Sequence, residues 1–149
     1  MTTMLMLDAI RASTQADLAL NPGDEGFFDA FRRKEITRYD VYAAMPFKNR
    51  VAAADLTGAE IQELQKAHPD TVVSGDASPL DAAKTYRVAF VDFIALSLYR
   101  LPAARLRDTG RDLREVVIAY LGQQKRAMTA PPARPVSRRQ VRPAAGTGG

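Results

Sequence analysis

The chain has 149 residues, enough for one domain with its own core, and its 46% hydrophobic and 26% charged residues are ordinary for a globular protein. It has no cysteine and one histidine, which excludes a disulfide framework and thiolate chemistry and leaves a zinc or dimetal site without its usual ligands. The net charge of +4 is unevenly held: residues 123–149 carry six basic residues and no acid, leaving 15 basic against 17 acidic residues before them, so the basic character belongs to the tail.

In chain order, Met1 to Leu7 is apolar, but no basic residue precedes it and Asp8 interrupts it. That is not a signal-peptide pattern, and the expected compartment is the cytoplasm. No run reaches the length of a membrane-spanning helix. Met4 to Thr14 has a helical period, with Leu5, Ala9 and Ile10 on one face and Asp8 and Arg11 turned away. Asp17 to Leu20 reads as a short buried strand, closed by the turn cluster Asn21-Pro22-Gly23-Asp24. Phe27, Phe28 and Phe31 suit a short helix or turn with aromatics packed inward, and Tyr39 to Ala44 a second short helix stopped by Pro46.

Val51 to Leu56 reads as a strand of small residues. Thr57-Gly58-Ala59-Glu60 has the spacing of a capping box, which opens a helix with Ile61 and Leu64 inward and its end near His68-Pro69. Tyr86 to Val91 is the strongest strand pattern, with Tyr86, Val88 and Phe90 on one face by period two. Leu113, Val116, Val117, Tyr120 and Leu121 form one apolar stripe of a final helix. Asp108 or Thr109 is its expected cap and Gly122 its expected end. Pro131, Pro132, Pro135 and Pro143 alternate with arginine and glycine beyond it, a composition too poor in apolar residues to offset ordering entropy. The expectation is therefore an α+β domain over residues 1–122, a mixed sheet with helices packed outside. A disordered basic Pro/Arg/Gly-rich tail follows over 123–149.

Self-sufficient chemistry is hard to build from these residues. His68 lies at a helix end, where a solvated histidine is the simpler reading than a metal ligand. A Ser-His-Asp triad would have to use that same histidine, and no G-x-S-x-G lies near it. Neither phosphate-binding glycine loop, G-x-x-x-x-G-K-[ST] or G-x-G-x-x-G, occurs. Asp24 and Glu25 in a turn read as solvated acids. No catalytic residue, no metal and no cofactor is expected.

Several blocks are more specific. Ile36-Thr37-Arg38-Tyr39-Asp40-Val41-Tyr42 with Pro46-Phe47-Lys48-Asn49, then Val51 and Leu56-Thr57-Gly58-Ala59-Glu60-Ile61, form the first. Pro79-Leu80-Asp81, Lys84-Thr85-Tyr86-Arg87-Val88-Ala89 and Asp92-Phe93-Ile94-Ala95 form the second, and Asp108-Thr109-Gly110 with Asp112-Leu113-Arg114-Glu115 and Tyr120-Leu121 the third. Leu7-Asp8-Ala9-Ile10 and Ala16 to Asn21 open the series. Taken in order, these blocks resemble the C-terminal, substrate-binding domain of the 5′-nucleotidase family and span most of residues 4–122. The resemblance implies a shortened version of that domain's fold.

In that family an N-terminal dimetal phosphoesterase domain does the chemistry, and this chain carries no such domain. The C-terminal domain holds the nucleoside between two phenylalanines. Motif position carries the clamp to Phe47 and Phe93, and a polar contact to the base to Asn49. Stacking of a base on an aromatic face is worth roughly 1–3 kcal/mol. The sequence also departs from the pattern. The turn that supplies an arginine to substrate reads Asn21-Pro22-Gly23-Asp24-Glu25-Gly26, with Gly26 at the arginine position and two acids added. The G-G-D-G-Y segment whose aspartate holds the ribose reads Ser97-Leu98-Tyr99-Arg100. Only Gln65 to Ser78 stand where the family carries several tens of residues, so part of its sheet is expected to be missing, with Val72 to Gly75 a remnant strand.

Three functions follow as alternatives. One is a nucleoside- or nucleotide-binding accessory domain that completes a separate metallophosphoesterase chain in nucleotide hydrolysis. Another is a non-catalytic relic kept as a structural or protein-interaction module. The third is an acidic or nucleic-acid partner bound through the tail. Six cations without an aromatic give only salt-sensitive, non-specific attraction, so a solvated tail is the simpler reading.

Overall fold

Two threonines start two of the helices by the same device. Thr37 accepts from the Asp40 N–H and Thr57 from the Glu60 N–H, and each acid side chain reaches back to the threonine N–H, a capping box in both cases. In the computed structural model the described residues are 3–23, 36–45, 48–76 and 78–129, with side chains as far as 124. They form helix α1 (Thr3–Thr14), strand β1 (Leu18–Asn21), helix α2 (Arg38–Ala44), strand β2 (Arg50–Thr57), helix α3 (Gly58–Ala67) and strand β3 (Val72–Gly75). Strand β4 (Thr85–Val91), a π-helical turn at Ile94–Leu98, a 3₁₀ turn at Ala103–Arg105, strand β5 (Arg107–Asp112) and helix α4 (Leu113–Thr129) complete the order.

The strands join in one sheet of order β3-β1-β4-β2-β5. Only the β1–β4 pair is parallel, so the sheet is mixed and the fold is α+β. Paired residues point to the same side, and the register therefore sets the two faces. Ala19, Ala53 and Ala89 lie in a row across β1, β4 and β2, with Ser74 beside Ala19 on β3. Asp8 and Arg11 of α1 both reach Ser74, at 2.5 and 2.9 Å, which places α1 on that face. The alanine row lets the helix lie close to the sheet. Leu18, Val88, Phe90 and Leu56 turn the other way, where the Tyr99 ring meets Phe90 edge-on at 5.6 Å.

Several sequence expectations need correction. Both faces of β4 are covered over its last four residues, so Ala89 and Val91 are buried beside Val88 and Phe90, and period two describes only half of the strand. In α1 the buried stripe runs through Met6, Leu7, Ala9 and Ile10, while Leu5 is only half-buried. Asp8 and Arg11 bind Ser74 and are not simply turned to solvent. Asp108 and Thr109 lie in β5: Asp108 pairs with Arg50, and Thr109 donates to the Val51 carbonyl. The residue that caps α4 is Asp112, whose carboxylate accepts from the Arg114 N–H at 2.8 Å. Helix α4 does not end at Gly122 but runs to Thr129, across the expected boundary between domain and tail. Val72–Gly75 is a true edge strand, paired antiparallel with β1. Phe27, Phe28 and Phe31, and the tail beyond Thr129, lie outside the described residues.

Candidate functional site

The sheet topology gathers the candidate residues at one end. Strand β2 pairs with β4 from Thr57–Thr85 to Val51–Val91. Two residues beyond the last pair, β2 leads back to Asn49 and β4 leads on to Phe93. The ladder therefore brings Asn49 and Phe93 to the same end of the sheet, although 43 residues of chain lie between them. Phe47, two residues before Asn49, lies outside the described residues.

Phe93 is 55% exposed, although it lies two residues beyond β4, whose last four residues are buried. The Asp92 carboxylate accepts from its N–H at 2.7 Å, and the chain then enters the π-helical turn. Single π-helical turns are rare and occur frequently at functional sites. Here Ile94 and Ala95 are buried while Phe93, Leu96 and Leu98 stay exposed, so this end of the sheet carries an apolar surface. Asn49 is half-buried, and its main-chain carbonyl accepts from the Leu113 N–H at 2.9 Å. The first turn of α4 thus fixes its backbone, and the side-chain amide makes no hydrogen bond among the described residues.

A second group, which sequence reasoning missed, adjoins this end. Arg38 on α2 grips Glu115 on α4 with both guanidinium nitrogens, at 2.7 and 3.1 Å, and the Tyr42 hydroxyl donates to the same carboxylate. Arg114 lies over the Tyr42 ring at 4.2 Å and pairs with Asp112 at 2.7 and 3.0 Å. Arg38 and then Tyr42 hold the Glu115 carboxyl below the ordinary range, and the same bond raises the Tyr42 phenol. Arg114 holds Asp112 low in the same way. The α2–α4 partners are more than 70 residues apart, so no local pattern announces the contact.

Elsewhere the acids serve the backbone. A cavity of about 340 Å³ at the other end of β4 is lined in part by Asp17, Asp76, Asp81, Lys84 and Tyr86. Asp17 accepts from the Arg87 N–H, Asp76 from Ser78 and Asp81 from the Ala83 N–H. Among the described residues no group of three His, Cys, Asp or Glu is placed to hold a metal ion. No described helix is long and apolar enough to cross a membrane. His68 is not a lone solvated side chain: its ring packs edge-on against Tyr99 at 5.0 Å. Tyr99 itself is buried, with its hydroxyl 3.0 Å from the Thr71 hydroxyl.

Residues 2–75 match the family model described as "5'-nucleotidase, C-terminal domain". No curated protein matches the chain. Among solved structures, the 5′-nucleotidase precursor of Thermus thermophilus superimposes with a TM-score of 0.64 at 23% identity, over 81% of this chain and 32% of that one. The NAD nucleotidase of Haemophilus influenzae gives a TM-score of 0.64 at 14% identity, over 81% of this chain and 29% of its own. At these identities the likeness is one of fold. The chain spans about a third of the length of the structures it matches.

Proposed function

From the premise that residues 2–75 belong to the 5′-nucleotidase C-terminal domain family, with the fold following over four-fifths of the chain, we propose that this protein binds a nucleoside or nucleotide and is not catalytic alone. A separate metallophosphoesterase chain would supply the hydrolytic step. The observation that carries this reading is Phe93, more than half exposed and set by the β2–β4 ladder at the same end as Asn49. A phenylalanine kept for the core would be buried; one left open offers a flat apolar face to a base. Asn49 brings both a donor and an acceptor to that end, and Phe47 completes the proposed set.

A relic that serves only as an interaction module is the second reading, and one observation favours it. Tyr99, in the segment that stands where the family keeps its ribose-holding aspartate, is packed into the core on Phe90 and His68. A sugar would lose that partner, so the proposed binding rests on the base.

Calorimetric titration of the full chain with adenosine and adenosine 5′-monophosphate separates the two. The proposed function requires saturable binding that Phe93→Ala weakens about tenfold, since one stacked base is worth roughly 1–3 kcal/mol. Absence of heat up to millimolar ligand, from protein shown to be folded, would leave the interaction module. Because Phe93 is exposed, its removal changes stability by less than about 0.5 kcal/mol, so lost binding would not reflect lost folding.

A further inference from the structure

Four contacts between α2 and α4 converge on the first turn of α4: two from Arg38 to Glu115, one from Tyr42 to Glu115, and the Arg114 guanidinium over the Tyr42 ring. The same turn supplies the Leu113 N–H that holds the Asn49 carbonyl. Met45, at the end of α2, is buried, and its N–H bonds the Val41 carbonyl. Helix α2 and Asn49 are therefore both tied to Leu113–Glu115, the helix through Arg38 and Tyr42 and Asn49 through its main-chain carbonyl. Asn49 is the proposed ligand residue that this turn holds, while Phe47 lies outside the described residues.

We propose that Glu115 is a positioning residue for the nucleoside end of the sheet, setting α2 against the start of β2 through the first turn of α4; this rests on the reading of that end as a nucleoside site. The Arg38–Glu115 side chains are 62% and 44% exposed, and a pair so exposed contributes little to global stability. What it does fix is direction. A bidentate guanidinium–carboxylate pair with a hydroxyl on the same carboxylate leaves α2 little freedom to rotate against α4. Groups held in place before the ligand arrives need not be ordered on binding, which is where such a contact gains affinity.

The molecule contains its own control. Arg105 and Glu60 form a second ion pair of similar exposure, 42% and 41%, at the other end of β2. With the full chain and adenosine as probe, Glu115→Ala should raise Kd about fivefold, Glu115→Gln less, because it keeps an acceptor for Tyr42, and Arg105→Ala not at all. Circular dichroism and urea midpoints establish that each variant is folded, and Tyr42→Phe, expected near twofold, replaces Glu115→Ala if that variant fails to fold. Equal weakening by Glu115→Ala and Arg105→Ala would show a general structural role and overturn the proposal. So would an unchanged Kd in Glu115→Ala while Phe93→Ala loses binding, which would leave the nucleoside reading intact. Failure of the unaltered chain to bind adenosine removes both.

Discussion

Gly58 opens α3 at a point where the chain passes against another segment. A β-carbon built there would lie 2.0 Å from the Asp81 carbonyl oxygen and 2.6 Å from its carbon, both main-chain atoms that cannot swing aside. Two hydrogen bonds lock the approach: the Gly58 N–H to the Lys84 carbonyl and the Ala59 N–H to the Ala82 carbonyl. Alanine normally improves a helix by up to about 1 kcal/mol over glycine. Overpacking costs about 1–3 kcal/mol, and here it falls on backbone. Gly58→Ala is therefore expected to lower stability by about 2 kcal/mol in urea unfolding. An unchanged or raised midpoint would mean that the 78–84 loop can move away. Asn21 is a second tight point: its side-chain amide donates to the Gly23 carbonyl, and its side-chain oxygen is buried with no hydrogen-bond partner among the described residues. The amide cannot simply be reversed, because its oxygen would then face another acceptor.

At the scale of elements, the sequence revealed the parts whose signals are local. Thr57 and Glu60 stand three apart, and the expected capping box formed. The stripe of Leu113, Val116 and Val117 is buried as its spacing requires. Strand β5 was not legible. Its residues, Arg-Asp-Thr-Gly-Arg-Asp, carry no apolar side chain, and the strand exists because its backbone pairs with β2. A charged edge strand is also a poor template for further pairing. Nor was the turn at Ile94–Leu98 legible, since a π-turn differs from an α-turn by one residue of hydrogen-bond offset. That turn carries Tyr99 into the core, and its N–H bonds the Ile94 carbonyl at 2.9 Å. Tyr99→Ala is expected to cost about 3–5 kcal/mol, and Tyr99→Phe only about 1 kcal/mol for the lost Thr71 contact. Near-equal losses in chemical denaturation would show that the hydroxyl, not the ring, holds this corner.

For the whole molecule, the fold class was legible because motif blocks lay in family order, and a five-stranded sheet survives the shortening between α3 and β4. The Asn49–Phe93 end could be named from motif positions, but its support by Arg38, Tyr42 and Glu115 required the tertiary structure. The ionisable groups now make a prediction that belongs to the molecule as a whole. Arg105 and the Thr57 N–H hold Glu60 at about 2, and Asp76, Asp108, Asp112 and Glu115 are lowered too. Carboxylates lowered by folding stabilise above their unfolded pKa, near 4, and lose that contribution as pH falls through the folded values. Burial pushes the Tyr99 phenol up to about 12, so its contribution is complete below about 10 and lost between 10 and 12. Stability should therefore be flat from about pH 5 to 9 and fall on both sides. The two limbs should respond differently. The acid limb arises from largely exposed pairs, so salt should shrink it and Glu60→Gln should flatten it. Salt should leave the Tyr99 share of the alkaline limb in place, while Tyr99→Phe should shrink that limb to the part owed to the raised Tyr42 phenol. Urea midpoints across pH 3 to 11, at low and high salt, test this assignment. An alkaline limb undiminished in Tyr99→Phe would mean that another group, not the buried phenol, sets the upper edge of stability.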